Sequence, residues 1–158
     1  GALQRARDHD LAAVHLSRLT HPESDNLDVA IRDTMRSHGV TWIVLAGYMR
    51  PIGQKTLTAY VDRILNIHPA LLPKFGGKGM YGMHVHKAVI AAGDTESGAT
   101  VHLVTREYDE GPVLAQRKVP VQSDDTPEAL QKRVLAEEHR IYVDVMNGII
   151  RGTIELPG

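Results

Sequence analysis

An α/β fold, with an open, mainly parallel twisted sheet and helices on both faces, is what this sequence predicts. Three observations carry that expectation. Short apolar runs alternate with amphipathic helical patterns along the chain. The helical patterns carry start and stop signals, and the 158-residue length suits one domain with a sizeable core. Alternation of this kind places helices on the faces of a parallel sheet.

The elements follow in order. Leu3, Ala6 and Arg7 read as the last turns of a helix, and LAAVHL (Leu11 to Leu16) as a strand. SDNLDVAIRDTMRSHG offers Ser24 or Asp25 as a cap, Leu27, Ile31 and Met35 at helical spacing, and Gly39 as a stop. TWIVLAG is a buried strand by its Trp, Ile and Val content, IGQKTLTAY a short helix, and RILNIH the next strand. MHVHKAVIAAG is a helix closed by Gly93, GATVHLVT a strand, and PVLAQRKVPV another. A long final helix starts with Thr126 as N-cap and Pro127 at its first position. No repeat or linker interrupts residues 1–158, so a single domain is expected.

Composition narrows the function. Apolar residues make up 42% and charged residues 23%, the balance of an ordinary globular protein. A net charge of -1 gives no bulk electrostatic case for nucleic acid or an anionic membrane. The absence of cysteine excludes a disulfide framework and thiol chemistry, and fits a reducing cytoplasm. No apolar run approaches transmembrane length and no signal-peptide pattern is visible.

LNIHPALLP holds the first candidate site. Asn66 and His68 stand two apart at a strand end, so their side chains leave on one face while Ile67 points the other way. Pro69 favours an extended conformation at His68. An amide donor beside an imidazole suits polarisation of a carbonyl and support of an oxyanion. The plain alternative is a polar strand end. Asp109, in TREYDEGPV, is either a turn former or a carboxylate holding His68 protonated. Glu138 interrupts the apolar stripe of Leu130, Val134, Ile141, Val145 and Ile149; it either has a partner or marks where the stripe reaches solvent. His84, His86 and His102 lack ligand spacing, and no HExxH appears, so no metal site is expected.

Together, LAGYMRPIG, LNIHPALLPKF, VHKAVIAAGDTESGATVHLVT, YDEGPVLAQ and EEHRIYVDV occur in the order and spacing of a known family. The chain closely resembles the phosphoribosylglycinamide formyltransferases, folate-dependent enzymes of purine biosynthesis, along nearly its whole length. The resemblance implies a Rossmann-like formyltransferase fold and transfer of a formyl group from 10-formyltetrahydrofolate, the co-substrate, to the amine of glycinamide ribonucleotide, without a metal. It implies Asn66, His68 and Asp109 as the catalytic trio. Asn66 and protonated His68 would stabilise the tetrahedral oxyanion, and Asp109 would raise the His68 pKa and help a water relay protons. One missing donor of this kind costs on the order of 100- to 1000-fold in rate.

Met49, Arg50, Pro51 and Ile52 match the loop holding the folate pterin, and Thr105, Arg106, Glu107 and Tyr108 match its opposite wall, with Asn66 and Asp109 also at the folate. Gly47, Ile67, Pro69 and Glu138 match the nucleotide site. The expected partners are these small molecules, with no nucleic acid and no membrane; monomer and homodimer both fit.

Departures accompany the match. The family's first strand and its Gly/Ser/Asn-rich phosphate loop have no counterpart here, so an upstream segment is expected. Pro22, Glu23, Ser24 and Asp25 supply no basic residue before the helix near Asn26, GGKGMYG is longer than the shortest family loops, and Leu135 stands where some members carry a polar substrate contact. Formyltetrahydrofolate hydrolase shares the trio, although His68-Pro69 favours the transferase. A methionyl-tRNA formyltransferase would need a basic C-terminal domain. A folate- or nucleotide-binding relic without turnover is the third alternative.

Overall fold

The computed structural model describes residues 1–156, which cluster as two compact units. The first unit, residues 1–40 and 52–59, holds α1 (Ala2–Asp8), α2 (Ser24–Ser37) and α3 (Gln54–Ala59). The strand expected over Leu11–Leu16 does not form. No strand among the described residues pairs with it, and Leu11 and Val14 are 63% and 49% exposed. An extended segment without a ladder partner leaves its backbone to solvent.

The caps of α2 also differ in part from expectation. Glu23 is its N-cap and makes no side-chain bond, so neither Ser24 nor Asp25 caps the helix. Gly39 ends it as expected: at φ +66°, it lets Val40 N–H reach back to the Met35 carbonyl at 3.0 Å.

α3 takes its cap from α2. The Asp28 carboxylate accepts from Lys55 N–H at 2.8 Å, Thr56 N–H at 3.1 Å and the Thr56 hydroxyl at 2.5 Å. These amides are the orphan donors of the first turn of α3, which an N-cap side chain ordinarily satisfies. Gly53 occupies that cap position, and a Cβ there would strike the Asp28 carboxylate. The pair is therefore built around a missing side chain.

The second unit, residues 41–51 and from 60 onward, holds a sheet ordered β1 (Ile43–Val44), β2 (Ile64–His68), β3 (Glu96–Leu103) and β4 (Val113–Pro120). α4 (Met83–Ala91) precedes β3, and α5 (Pro127–Arg151) follows β4. The sheet is open, as expected, but mixed rather than mainly parallel. β1 pairs parallel to β2, whereas β2–β3 and β3–β4 are antiparallel. Residues 104–112 are too few for a crossover, which needs a dozen or more, so β4 must return beside β3 as a hairpin. Between β2 and β3, a long irregular stretch over 69–82 precedes α4, and β3 enters running the opposite way.

Alternation along β3 divides its two faces. Ala99, Val101 and Leu103 join Val85 and Val89 of α4 and Leu130, Val134, Ile141 and Val145 of α5 in one buried cluster. Gly98, Thr100 and His102 face the other way, as the two-residue period requires. Thr100 uses its hydroxyl fully: it donates to the Ala70 carbonyl at 2.6 Å and accepts from Leu72 N–H at 3.1 Å and Gln116 Nε2 at 2.9 Å. That fixes the exit of the chain from β2. α5 begins at Thr126, whose hydroxyl accepts from Ala129 N–H at 3.2 Å, with Pro127 next, as expected. Its Tyr142 hydroxyl sits between the carbonyls of Leu45 at 2.8 Å and Leu65 at 3.0 Å, tying the helix to β1 and β2.

Removing the Asp28 carboxylate should expose the role of the shared cap. We expect Asp28→Ala to lower unfolding stability by about 1–3 kcal/mol, because the α3 amides lose their acceptor. Urea denaturation measures this; an unchanged midpoint would show that solvent replaces the carboxylate without loss.

Candidate active site

β2 presents its polar pair as the sequence pattern requires. Ile67 packs toward the hydrophobic cluster, while Asn66 and His68 lie on the other face. The antiparallel register sets Asn66 opposite His102 and His68 opposite Thr100. Asn66 Nδ2 stands 3.1 Å from His102 Nε2, and His102 Nδ1 stands 2.9 Å from the Leu103 carbonyl. A carbonyl only accepts, so Nδ1 of His102 carries a hydrogen in either state of the ring; Nε2 accepts from the Asn66 amide when the ring is neutral and donates toward Asp109 when it is protonated. His102 thereby sets which way the Asn66 amide faces.

Asp109 is brought back over this face by the 104–112 connection. One carboxylate oxygen lies 3.4 Å from His68 Nδ1 and accepts from Gly77 N–H at 3.0 Å. The other lies 3.5 Å from His102 Nε2. Asp109 adopts φ +59°, a left-handed conformation that Asp tolerates through its short polar side chain. Asp109 thus lies in the turn and beside His68 at once. Gly111 follows where a Cβ would collide with the Leu103 carbonyl, so the turn packs onto the strand it has just left.

Two opposing effects meet at His68. Burial pushes the His68 imidazole below its ordinary 6.5, and this outweighs the upward pull of Asp109 and of the Phe75 carbonyl. Proximity to His102 pushes it down further. Asp109 acts in the expected direction but does not win. For Asp109, burial favours the neutral acid, yet His102, the charge of His68 and the Gly77 amide together hold its carboxyl below the usual range. Both depressions favour the folded state at higher pH. The His68 contribution is lost as pH falls from 6.5 through the folded value, and the Asp109 contribution as pH falls below 3.8 through its own.

The remaining expected site residues are placed as follows. Gly47 is exposed at φ +67° after β1, and Met49, Arg50 and Pro51 are exposed beyond it. Thr105 donates its hydroxyl to the Glu107 carbonyl at 3.2 Å, and Arg106, Glu107 and Tyr108 are exposed. Pro69 is half-buried beside His68, and Ile52 is half-buried in the first unit, just ahead of α3. Glu138 is half-buried one turn before Tyr142; burial pushes its carboxyl up, His139 opposes this, and no side chain among the described residues hydrogen-bonds it.

His102, 2% exposed, is the residue on this polar face that spacing did not single out. A signal was present: Thr100 and His102 alternate with Ala99, Val101 and Leu103 along a wholly buried strand.

An amide, two imidazoles and a carboxylate thus converge on one buried polar face, an arrangement that can stabilise a developing oxyanion and move a proton. Comparison with known proteins identifies the family. The formyl transferase family matches residues 1–146, and the chain belongs to that family. Within it, the relatives include phosphoribosylglycinamide formyltransferases. The chloroplastic enzyme of Arabidopsis thaliana is 46% identical over 98% of this chain and 53% of its own length. The Escherichia coli enzyme is 35% identical over 98% of this chain and 70% of its own. Among solved structures, glycinamide ribonucleotide transformylase 1 from Symbiobacterium toebii superposes with a TM-score of 0.89 at 40% identity, over 99% of this chain and 71% of that one. A formyltetrahydrofolate deformylase from Pseudomonas syringae matches with a TM-score of 0.69 at 25% identity, over 89% of this chain and 48% of its own. The chain spans about half the length of the plant relatives.

The contact between His68 and Asp109 can be tested without substrate. The His68 ring should titrate below 6.5 by NMR, and Asp109→Asn should move that midpoint lower still, since the raising charge is gone. A midpoint that rises or stays in place would dissociate the two residues electrically.

Proposed function

We propose that this protein moves the formyl group of 10-formyltetrahydrofolate onto the amine of glycinamide ribonucleotide. The observation that carries the reading is the placement of His68 and Asp109, with Nδ1 and Oδ2 3.4 Å apart, on the same buried face as Asn66 and His102. The folate supplies the activated formyl carbon; the chain supplies donors and a proton path. One Asn66 amide hydrogen is engaged by His102, which leaves the other for the oxyanion formed when the amine attacks. His68, protonated for this step, gives a second donor, and Asp109 offsets the cost of charging it in a buried place. As the intermediate collapses, the oxygen re-forms its double bond to carbon, the bond to the folate nitrogen breaks, and that nitrogen takes the proton that His68 supplied, while the attacking nitrogen gives one up to the relay at Asp109.

In this reading Met49, Arg50, Pro51 and Ile52 with Thr105, Arg106, Glu107 and Tyr108 hold the folate. Gly47, Ile67, Pro69 and Glu138 serve the nucleotide. Glu138 supports its place in the reading by being a half-buried carboxylate without a hydrogen-bond donor among the described residues. Residues 1–158 act as one formyltransferase domain, since a single family match runs across both units. A cytoplasmic location belongs to the same proposal, although the plant relatives are named chloroplastic. No helix among the described residues is long and apolar enough to cross a membrane.

The hydrolase reading shares these catalytic residues, so products must separate the two. The full-length gene product is incubated with 10-formyltetrahydrofolate, with and without glycinamide ribonucleotide, and formyl-nucleotide and formate are followed separately. We expect formyl-nucleotide only when the amine is present, and a loss of roughly 100-fold or more in His68→Ala. Formate released regardless of the amine would assign the protein to the hydrolases, and neither product would leave a binding protein.

A further inference from the structure

Both ring nitrogens of His68 are engaged. Nδ1 lies 3.4 Å from Asp109, and Nε2 lies 2.7 Å from the backbone carbonyl of Phe75. Phe75 holds φ +55°, a left-handed conformation that a bulky side chain rarely adopts. Two residues on, Gly77, at φ +90°, gives its N–H to Asp109 at 3.0 Å. Gly76, between them, has no room for a side chain: a Cβ there would meet Leu72 Cδ2 at 2.6 Å and Asp109 Cβ at 3.3 Å. One short stretch of backbone therefore offers a carbonyl to the imidazole and an amide to the carboxylate, and seats against Leu72 and Asp109 through a glycine.

We propose that Phe75, Gly76 and Gly77 form a backbone clamp that fixes the His68 tautomer, so that Nε2–H is held by the Phe75 carbonyl and Nδ1 is the nitrogen that gains and gives up the working proton. A carbonyl oxygen accepts and cannot donate, so a bare Nε2 at this distance would set two lone pairs against each other. The corresponding clash at Nδ1 is the weaker one, since the Asp109 oxygen stands at 3.4 Å against 2.7 Å for the Phe75 carbonyl, so the neutral ring carries its hydrogen on Nε2 and presents Nδ1 toward Asp109. The groups that act on the ring's charge are Asp109 and the Phe75 carbonyl, which favour it, and His102, which opposes it; a charged His68 in turn lowers the pKa of His86. When Nδ1 is protonated and delivers to an oxyanion, the Nδ1–H bond breaks, its electron pair stays on Nδ1, and an O–H bond forms. The ring ends as the Nε2–H tautomer in which it began, with no rotation. Phe75 and Gly77 are positioning residues, since neither is required to touch the reacting atoms. The clamp deepens the proposed function, and rests on it only for where the proton goes.

The tautomer is readable without substrate. Full-length protein labelled with ¹⁵N-histidine is examined by long-range ¹H–¹⁵N correlation above the His68 titration, the signal being assigned by its loss in His68→Gln. We expect one neutral form with hydrogen on Nε2 and a bare Nδ1. A ring protonated on Nδ1, or an even mixture of the two forms, would overturn the proposal. Gly76→Ala, which forces the clamp off Asp109, should admit the second tautomer and lower kcat about tenfold or more with KM little changed, as loss of the correct imidazole tautomer does elsewhere. Wild-type tautomer and wild-type kcat in that variant would also overturn it. If the expected tautomer appears but the wild-type protein transfers no formyl group, the functional reading fails and the clamp stands.

Discussion

The antiparallel register between β2 and β3 is the constraint on which the chemistry depends. It sets Asn66 against His102 and His68 against Thr100, and so decides in one stroke which amide is steered and how the chain leaves the strand. A slip of one residue would turn every one of these side chains to the opposite face. The register is held from both sides of the sheet. Ala99, Val101 and Leu103 lock one face into the hydrophobic cluster, and on the other Thr100 holds the backbone of Ala70 and Leu72. Burial of the odd-numbered residues and polar bonding of the even-numbered ones thus enforce the same pairing.

That arrangement places an ionisable dyad where solvent cannot easily reach it. Burial alone would keep His68 neutral and Asp109 protonated, and the two depart from this to different degrees. Asp109 gathers enough donors to remain ionised. His68 receives only part of the compensation it needs, and it stays poised toward the neutral state. A substrate that develops negative charge beside the ring would add the missing share, so the proton is most strongly held when the reaction requires it.

Much of this was legible in the amino-acid sequence, and the parts that were not share a cause. Asn66 and His68 could be paired because a strand alternates with a period of two, and Ile67 pointing away to the cluster follows from the same rule. The Thr126–Pro127 helix start and the Gly39 helix stop depend on local backbone chemistry and lie where the sequence places them. His102 and the direction of β3 depend on how distant segments pair, which no local pattern encodes. The segment Leu11–Leu16 has the composition of a strand, but a strand exists only where a neighbour accepts its hydrogen bonds. The cap on α3 was hidden for the same reason, since Asp28 and the amides it serves lie far apart in the chain.

The left-handed backbone at Asp109 has a consequence for how this site can decay. Few side chains bear that conformation well, and asparagine is the one that also matches aspartate in shape. Substitution there is channelled toward a residue that keeps the turn, the fit and the acceptor for the Gly77 amide while discarding the charge. A descendant that drifted by this route would keep the same contour and lose the proton chemistry. Shape would then be a poor witness to activity in such lineages, and the charge at this one position a better one.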